Sequence, residues 1–173
     1  ILDVPSYEAE PLLYSDWGDP REYTIGDMGI GECAGEVVPA IQFALQRAEQ
    51  EAFDAQILLE KGQPQSASER AFEAMLAAAK GLVRHRGIVV SDAPNDVVAR
   101  FREHLHDTHV FHDPFAGGKF AQYFFKAHSE RPFTTATQAT AHQAIEEAGL
   151  FIEAAHACYD RLTQASMVST ATP

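Results

Sequence analysis

The chain has 173 residues, 46% of them hydrophobic, and sets 25 acidic against 13 basic side chains for a formal net charge of -12. That length and apolar content suit one domain with its own core, while the negative field repels phosphate backbones and makes a nucleic-acid partner unexpected. Cys33 and Cys158 are the only cysteines; they are too few for a cysteine-built zinc or iron–sulfur site within the chain, and are expected to be reduced thiols of a cytoplasmic protein.

Residues 1–24, ILDVPSYEAEPLLYSDWGDPREYT, place Pro5, Pro11 and Pro20 among acids and aromatics without lasting periodicity, and read as an irregular arm. A start at Ile1, without methionine, suggests a piece of a longer polypeptide. Gly26, Gly29, Gly31 and Gly35 then fall within ten residues, a composition that permits positive φ and close backbone approach. This junction is expected to turn the arm into the first helix. An anion at the helix N-terminus near Val37 is the alternative, although the GxxxxGK[ST] phosphate loop is absent. The arm and junction occupy residues 1–35, a helical domain residues 36–165, and a frayed tail residues 166–173.

From Cys33 the pattern is helical. Val37, Ile41, Leu45, Ala48, Ala52, Ala55 and Leu59 form one apolar stripe that Gly62 and Pro64 stop. A second helix follows, with Ser66 or Ser68 as expected cap, Glu69 completing a capping box, and Gly87 at its end. Its inner face is Ala67, Ala71, Met75, Ala78, Ala79 and Leu82, small enough for close helix–helix approach. PNDVVARFREHLHDTHVF makes a third helix, capped by Asn95 and directing Val97, Val98, Phe101 and Leu105 inward. KFAQYFFKAH makes a short aromatic fourth, which SERPFTT breaks. The closing helix buries Ala141, Ile145, Ala148, Ile152, Ala155 and Leu162. The expected fold is therefore all-α, an antiparallel bundle of about five helices behind an irregular arm. No apolar run nears the roughly 20 residues of a membrane-spanning helix, so no membrane is expected as partner.

Residues 104–113, HLHDTHVFHD, concentrate four histidines and two aspartates. One interpretation is a metal site. Glu103 with His106 and Glu153 with His156 each place a carboxylate and an imidazole three residues apart on a helix face. With Glu49 and Glu73 they would resemble a di-iron carboxylate set. A looser zinc or nickel site would use His104, His106, His109 and His112. Another is strand cleavage of RNA, with a guanidinium holding phosphate and an imidazole as general acid or base; Arg100 with His106, or Arg102 with His109, has the spacing. The third, and favoured, is a solvated helix end where histidine suits the dipole and Asp107 and Asp113 balance charge. No catalytic residue and no metal ligand is favoured over that structural role. His142 is expected to be a packed or surface residue.

QFALQRAEQEAFDAQILLEKGQ, SERAFEAMLAAAKGLV, PNDVVARFREHLHD and ATAHQAIEEAGLFIEAAHACYDRL, in that order, resemble the helices of the HEPN family over residues 37–165. YTIGDMGIGECAGEVV, through Gly26, Gly29, Gly31, Glu32, Cys33, Ala34 and Gly35, resembles the junction before such a domain at the C-terminus of some bacterial nitrite/sulfite reductase-like proteins. The resemblance implies a small α-helical bundle that often dimerises. It also implies sirohaem and a [4Fe–4S] cluster in an upstream part of the parent protein, with no cofactor in this chain. Ribonucleases of the HEPN family carry an arginine-to-histidine pattern with a polar residue after the arginine; here Phe101 and Glu103 follow the two arginines. The function expected is a non-catalytic accessory domain that forms a homodimer or docks on the reductase. The ribonuclease and the metal-binding bundle are the alternatives. Phe115, Phe120, Tyr123, Phe124 and Phe125 are expected to be core in the main, with some of their surface left for a partner; Tyr7, Tyr14 and Trp17 of the arm are expected to pack on the bundle or a second protomer.

Overall fold

A computed structural model describes residues 38–171, and their side chains as far as 168. The arm, the glycine junction with Cys33, and Val37 lie outside the described residues. The rest is helical: α1 (Ala40–Glu60), α2 (Pro64–His85), α3 (Pro94–Phe101) continued by a π-helical turn (Arg102–His106), α4 (Lys119–Glu130) and α5 (Gln138–Ala171). Among the described residues there is no strand, only one isolated bridge between Asp113 and Gly117. Among the described residues no helix is long and apolar enough to cross a membrane.

The α1 stripe is buried at Ile41, Leu45, Ala48, Ala55 and Leu59, against a face of α2 that buries Ala67, Ala71, Met75, Ala78, Ala79 and Leu82. Burying a leucine, isoleucine or methionine side chain contributes about 1.5–3 kcal/mol. The alanines add less each, but they bring the two axes together. Contact is tightest at Gly81, where a Cβ would stand 2.6 Å from that of Ala44. α5 packs along both α1 and α2, while α3 and α4 close the remaining side.

Two glycines end helices as expected. Gly62 at φ +77° lets Gln63 donate to the Leu58 carbonyl and Gly62 itself to that of Leu59. Gly87 at φ +80° does the same, with Ile88 on Val83 and Gly87 on Arg84. Both are Schellman endings, closing carbonyls the helix cannot satisfy alone.

The helix starts differ from the expectation. α2 begins at Pro64, not after Ser66 or Ser68, and α3 at Pro94, with no side-chain cap bond at either start. Proline at the first helical position lacks an N–H that would be unsatisfied there and has its φ preset. Ser68 is consequently buried inside α2. Before α3, Asp96 rather than Asn95 is the acceptor, taking the Ser91 N–H at 2.7 Å. At the start of α5, the Thr137 N–H donates to Thr140 Oγ1 and the Thr140 N–H to Thr137 Oγ1, at 2.8 and 3.2 Å. α5 then runs to Ala171, past the expected end at 165, because TQASMVSTA contains no helix breaker before Pro173.

The core centres on phenylalanines. Phe101 is fully buried, with Phe111, Phe124 and Phe151 at centroid distances of 5.0, 5.4 and 5.6 Å. Of the aromatic stretch, Phe124 and Phe125 are core, Phe120 and Tyr123 half-buried, and Phe115 is 99% exposed.

Candidate functional site: a histidine cluster after a π-helical turn

At the end of α3 the Asp107 N–H donates to the Arg102 carbonyl, five residues back, at 2.8 Å. This wider turn rotates the following side chains, a device often found at functional positions. The chain then doubles back. The His109 N–H reaches the His106 carbonyl and the Phe111 N–H that of Leu105. His109 has φ +62°, a left-handed conformation more accessible to histidine than to bulkier residues.

A second turn follows. Asp113 Oδ1 accepts the Phe115 and Ala116 N–H groups at 2.7 and 2.8 Å, and these bonds hold its carboxyl below the usual carboxylate range. α5 fastens the loop from the other side: Arg161 Nη2 donates to the carbonyls of His112 and Val110 at 3.2 and 3.5 Å. Cys158 Sγ lies 3.6 Å from the Val110 carbonyl oxygen. It is a free thiol, pushed up by burial and so poorly reactive.

Three imidazoles stack inside this frame. His106 and His112 have centroids 5.4 Å apart, and His112 and His109 4.2 Å apart. The edge of Phe125 meets His106 at 5.2 Å, and the Arg102 guanidinium lies over the same ring, 3.8 Å from its centroid. A Cβ on Gly118 would come within 2.9 Å of His106 Cε1, so the glycine is what lets α4 begin against the cluster. The Nδ1 atoms of His106 and His112 are closed from water and have no hydrogen-bond partner, as has Nδ1 of His128 on α4. Burial lowers the pKa of His106, and the neighbouring His112, Arg102 and His109 side chains add to this against the opposing Asp107 carboxylate. His128 is lowered by burial and by Arg131 and Arg102. Both shifts favour the uncharged ring.

The expected Arg100–His106 pair is not assembled. Arg100 is turned to its own helix face, 3.4 Å from Asp96 and 3.7 Å from Glu103. Arg102 lies over the Phe125 ring, which His106 also meets. The di-iron set is not assembled either. Glu103 is engaged by Arg100 and lies 3.6 Å from His104. His156 on α5 instead binds Glu49 on α1 at 2.6 Å, and Glu73 lies 3.5 Å from Arg70. Glu153 is exposed. Among the described residues no three of histidine, cysteine, aspartate or glutamate are disposed to hold a metal. For His106, His109 and His112 the stacking supplies the reason, since ring lone pairs lie in the ring planes and face-to-face rings do not aim them at one point. His142 is a surface residue, 2.9 Å from Glu146.

No family model matches the chain, and no curated protein does.

His104 is half-buried and His109 exposed, whereas the inner nitrogens of His106 and His112 are enclosed. Two further residues had no counterpart in the sequence reading. Glu147 is 9% exposed and accepts from Lys126 at 2.8 Å.

Proposed function

We propose that this chain is a non-catalytic, HEPN-like accessory domain that serves assembly in a larger nitrite/sulfite reductase-like redox protein. The observation that carries this reading is the outer side of α1. Phe43 is 59% and Phe53 61% exposed, and Phe43 borders a groove between α1 and α2 of about 750 Å³. Ile41, Ala44, Leu76 and Ala77 give the groove an apolar base, with Arg47, Lys80 and Arg84 among its rim. Exposed aromatics beside an apolar groove with a polar rim have the composition of a protein–protein contact. The preferred occupant is a second copy of the chain; the redox part of the parent is the other. In this reading sirohaem and the iron–sulfur cluster belong to that redox part, and the protein works in the cytoplasm, where a buried free thiol such as Cys158 persists.

The test compares the chain with a Phe43→Ser/Phe53→Ser variant, both checked for helicity by circular dichroism, in binding to a nitrite/sulfite reductase-type enzyme and in self-association. Loss of either association with unchanged helicity supports the reading. Associations that survive both substitutions contradict it.

A second reading, RNA cleavage, rests on Arg102 and His106, which both pack against the Phe125 ring. A guanidinium would hold phosphate and a neutral imidazole would serve as general base. It predicts that His106→Ala and Arg102→Ala each abolish cleavage of single-stranded RNA; activity equal in the variants would mark it as a contaminant's.

A further inference from the structure

A cleft of about 430 Å³ lies between α2, α4 and α5, within the roughly 300–1,000 Å³ of small-molecule sites. Its base is apolar, formed by Phe72, Met75, Ala127 and Phe133, all buried. Phe133 contributes from a backbone at φ +62°, an unfavourable conformation for a bulky aromatic residue. Such strain persists only where the surroundings hold it, and it tends to gather at binding sites.

The polar groups sit at one side of this base. Glu147 Oε1 lies 2.8 Å from Lys126 Nζ, and Glu147 Oε2 accepts from Lys126 Nζ and Gln143 Nε2 at 3.1 and 2.9 Å. Glu130 also lines the cleft, and its carboxylate has no partner among the described residues. The lining thus carries two carboxylates against one ammonium, already engaged. Arg131, the neighbouring cation, is held by Glu69 at 2.8 Å and does not line the cleft.

We propose that this cleft binds a small organic cation with an apolar body, a protonated alkyl or aryl-alkyl amine. The body lies on Phe72, Met75 and Phe133; the ammonium donates to Glu130 and to the outer face of Glu147. The excess carboxylate selects a cation over a neutral or anionic molecule of the same shape, and the chain's charge of -12 concentrates cations around it.

The experiment is titration calorimetry of the whole described chain with phenethylamine, 2-phenylethanol and phenylacetate, three probes of similar shape and different charge. Phenethylamine is expected to bind saturably at one site, and the other two about tenfold more weakly or not at all. Glu130→Gln, at the exposed edge and therefore harmless to packing, is expected to weaken the amine by about tenfold or more. Ala144→Leu, which fills the cleft, is expected to abolish binding while circular dichroism confirms the helices. Equal binding of the three probes, preference for phenylacetate, indifference of the amine to Glu130→Gln, or no saturable amine binding would each overturn the proposal.

Discussion

His106 and His128 differ in their chemistry from exposed histidines. Both have an Nδ1 sealed from water without a partner, and both have a pKa lowered from 6.5. A lowered folded-state value means that, as pH falls through the ordinary range, the unfolded chain takes up protons before the folded one does. Stability contributed by the neutral rings is complete above about pH 6.5–7 and declines as pH drops toward the folded-state values. Thermal unfolding is therefore expected to occur at lower temperature near pH 5.5 than near pH 7.5, with a flatter slope in a His106→Gln/His128→Gln variant. An unchanged slope in that variant would contradict the assignment. Asp92, Asp96 and Asp113 are held below 3.8, so their contribution is lost only in stronger acid and does not confuse the test. At the same scale, Phe101 packs against four other core phenylalanines, Phe111, Phe124, Phe125 and Phe151, and Phe101→Ala is expected to cost about 3–5 kcal/mol in urea unfolding.

At the scale of elements, the two kinds of glycine in the helices make opposite predictions. Gly81 faces Ala44 across the α1–α2 contact, where a Cβ would stand at 2.6 Å; Gly149 in α5 has nothing within 4 Å of the same position. Replacing glycine by alanine in a helix gains about 1 kcal/mol from backbone propensity, while overpacking costs about 1–3 kcal/mol. Gly81→Ala is thus expected to destabilise by about 1 kcal/mol, and Gly149→Ala to stabilise by about as much. Chemical denaturation of both variants checks the sign. If the two variants respond alike, the close approach of α1 and α2 is not as described.

The elements also show where sequence is informative. The stripes of α1 and α2 were legible because each of those helices turns one face to the core, and spacings of three and four mark that face. α5 was less complete: Phe151 and Cys158 are fully buried outside the stripe expected for it. α5 packs against α1, α2 and α4, so its apolar face is wider than one stripe. The Schellman endings at Gly62 and Gly87 were legible from the glycines; the starts were misplaced because proline's claim on the first helical position outweighs a serine two or more residues later. The π-helical turn left no mark. It alters the register over only five residues, Arg102–His106, too few for a change in hydrophobic period to be visible. The sequence reading named both Arg100 and Arg102 as alternatives, and without the turn it had no means of choosing between them.

At the scale of the molecule, the described residues leave one long helix side of the bundle incompletely covered. Glu49 and His156 link α1 to α5 at 2.6 Å, and Arg70 joins α2 to Glu51 and Asp54 of α1 at 3.3 Å each. The Glu49–His156 pair is exposed and worth less than about 1 kcal/mol, while the Arg70 pairs are half-buried. The outer aromatics of α1 have no such purpose within the bundle. An assembly domain is the reading that gives Phe43 and Phe53 a role, and it is tested by the molar mass of the chain measured by light scattering across a wide concentration range. The proposed reading predicts a dimer mass that persists on dilution and falls to the monomer value in Phe43→Ser/Phe53→Ser. A monomer at every concentration, with no mass gained on adding a reductase-type enzyme, would contradict it.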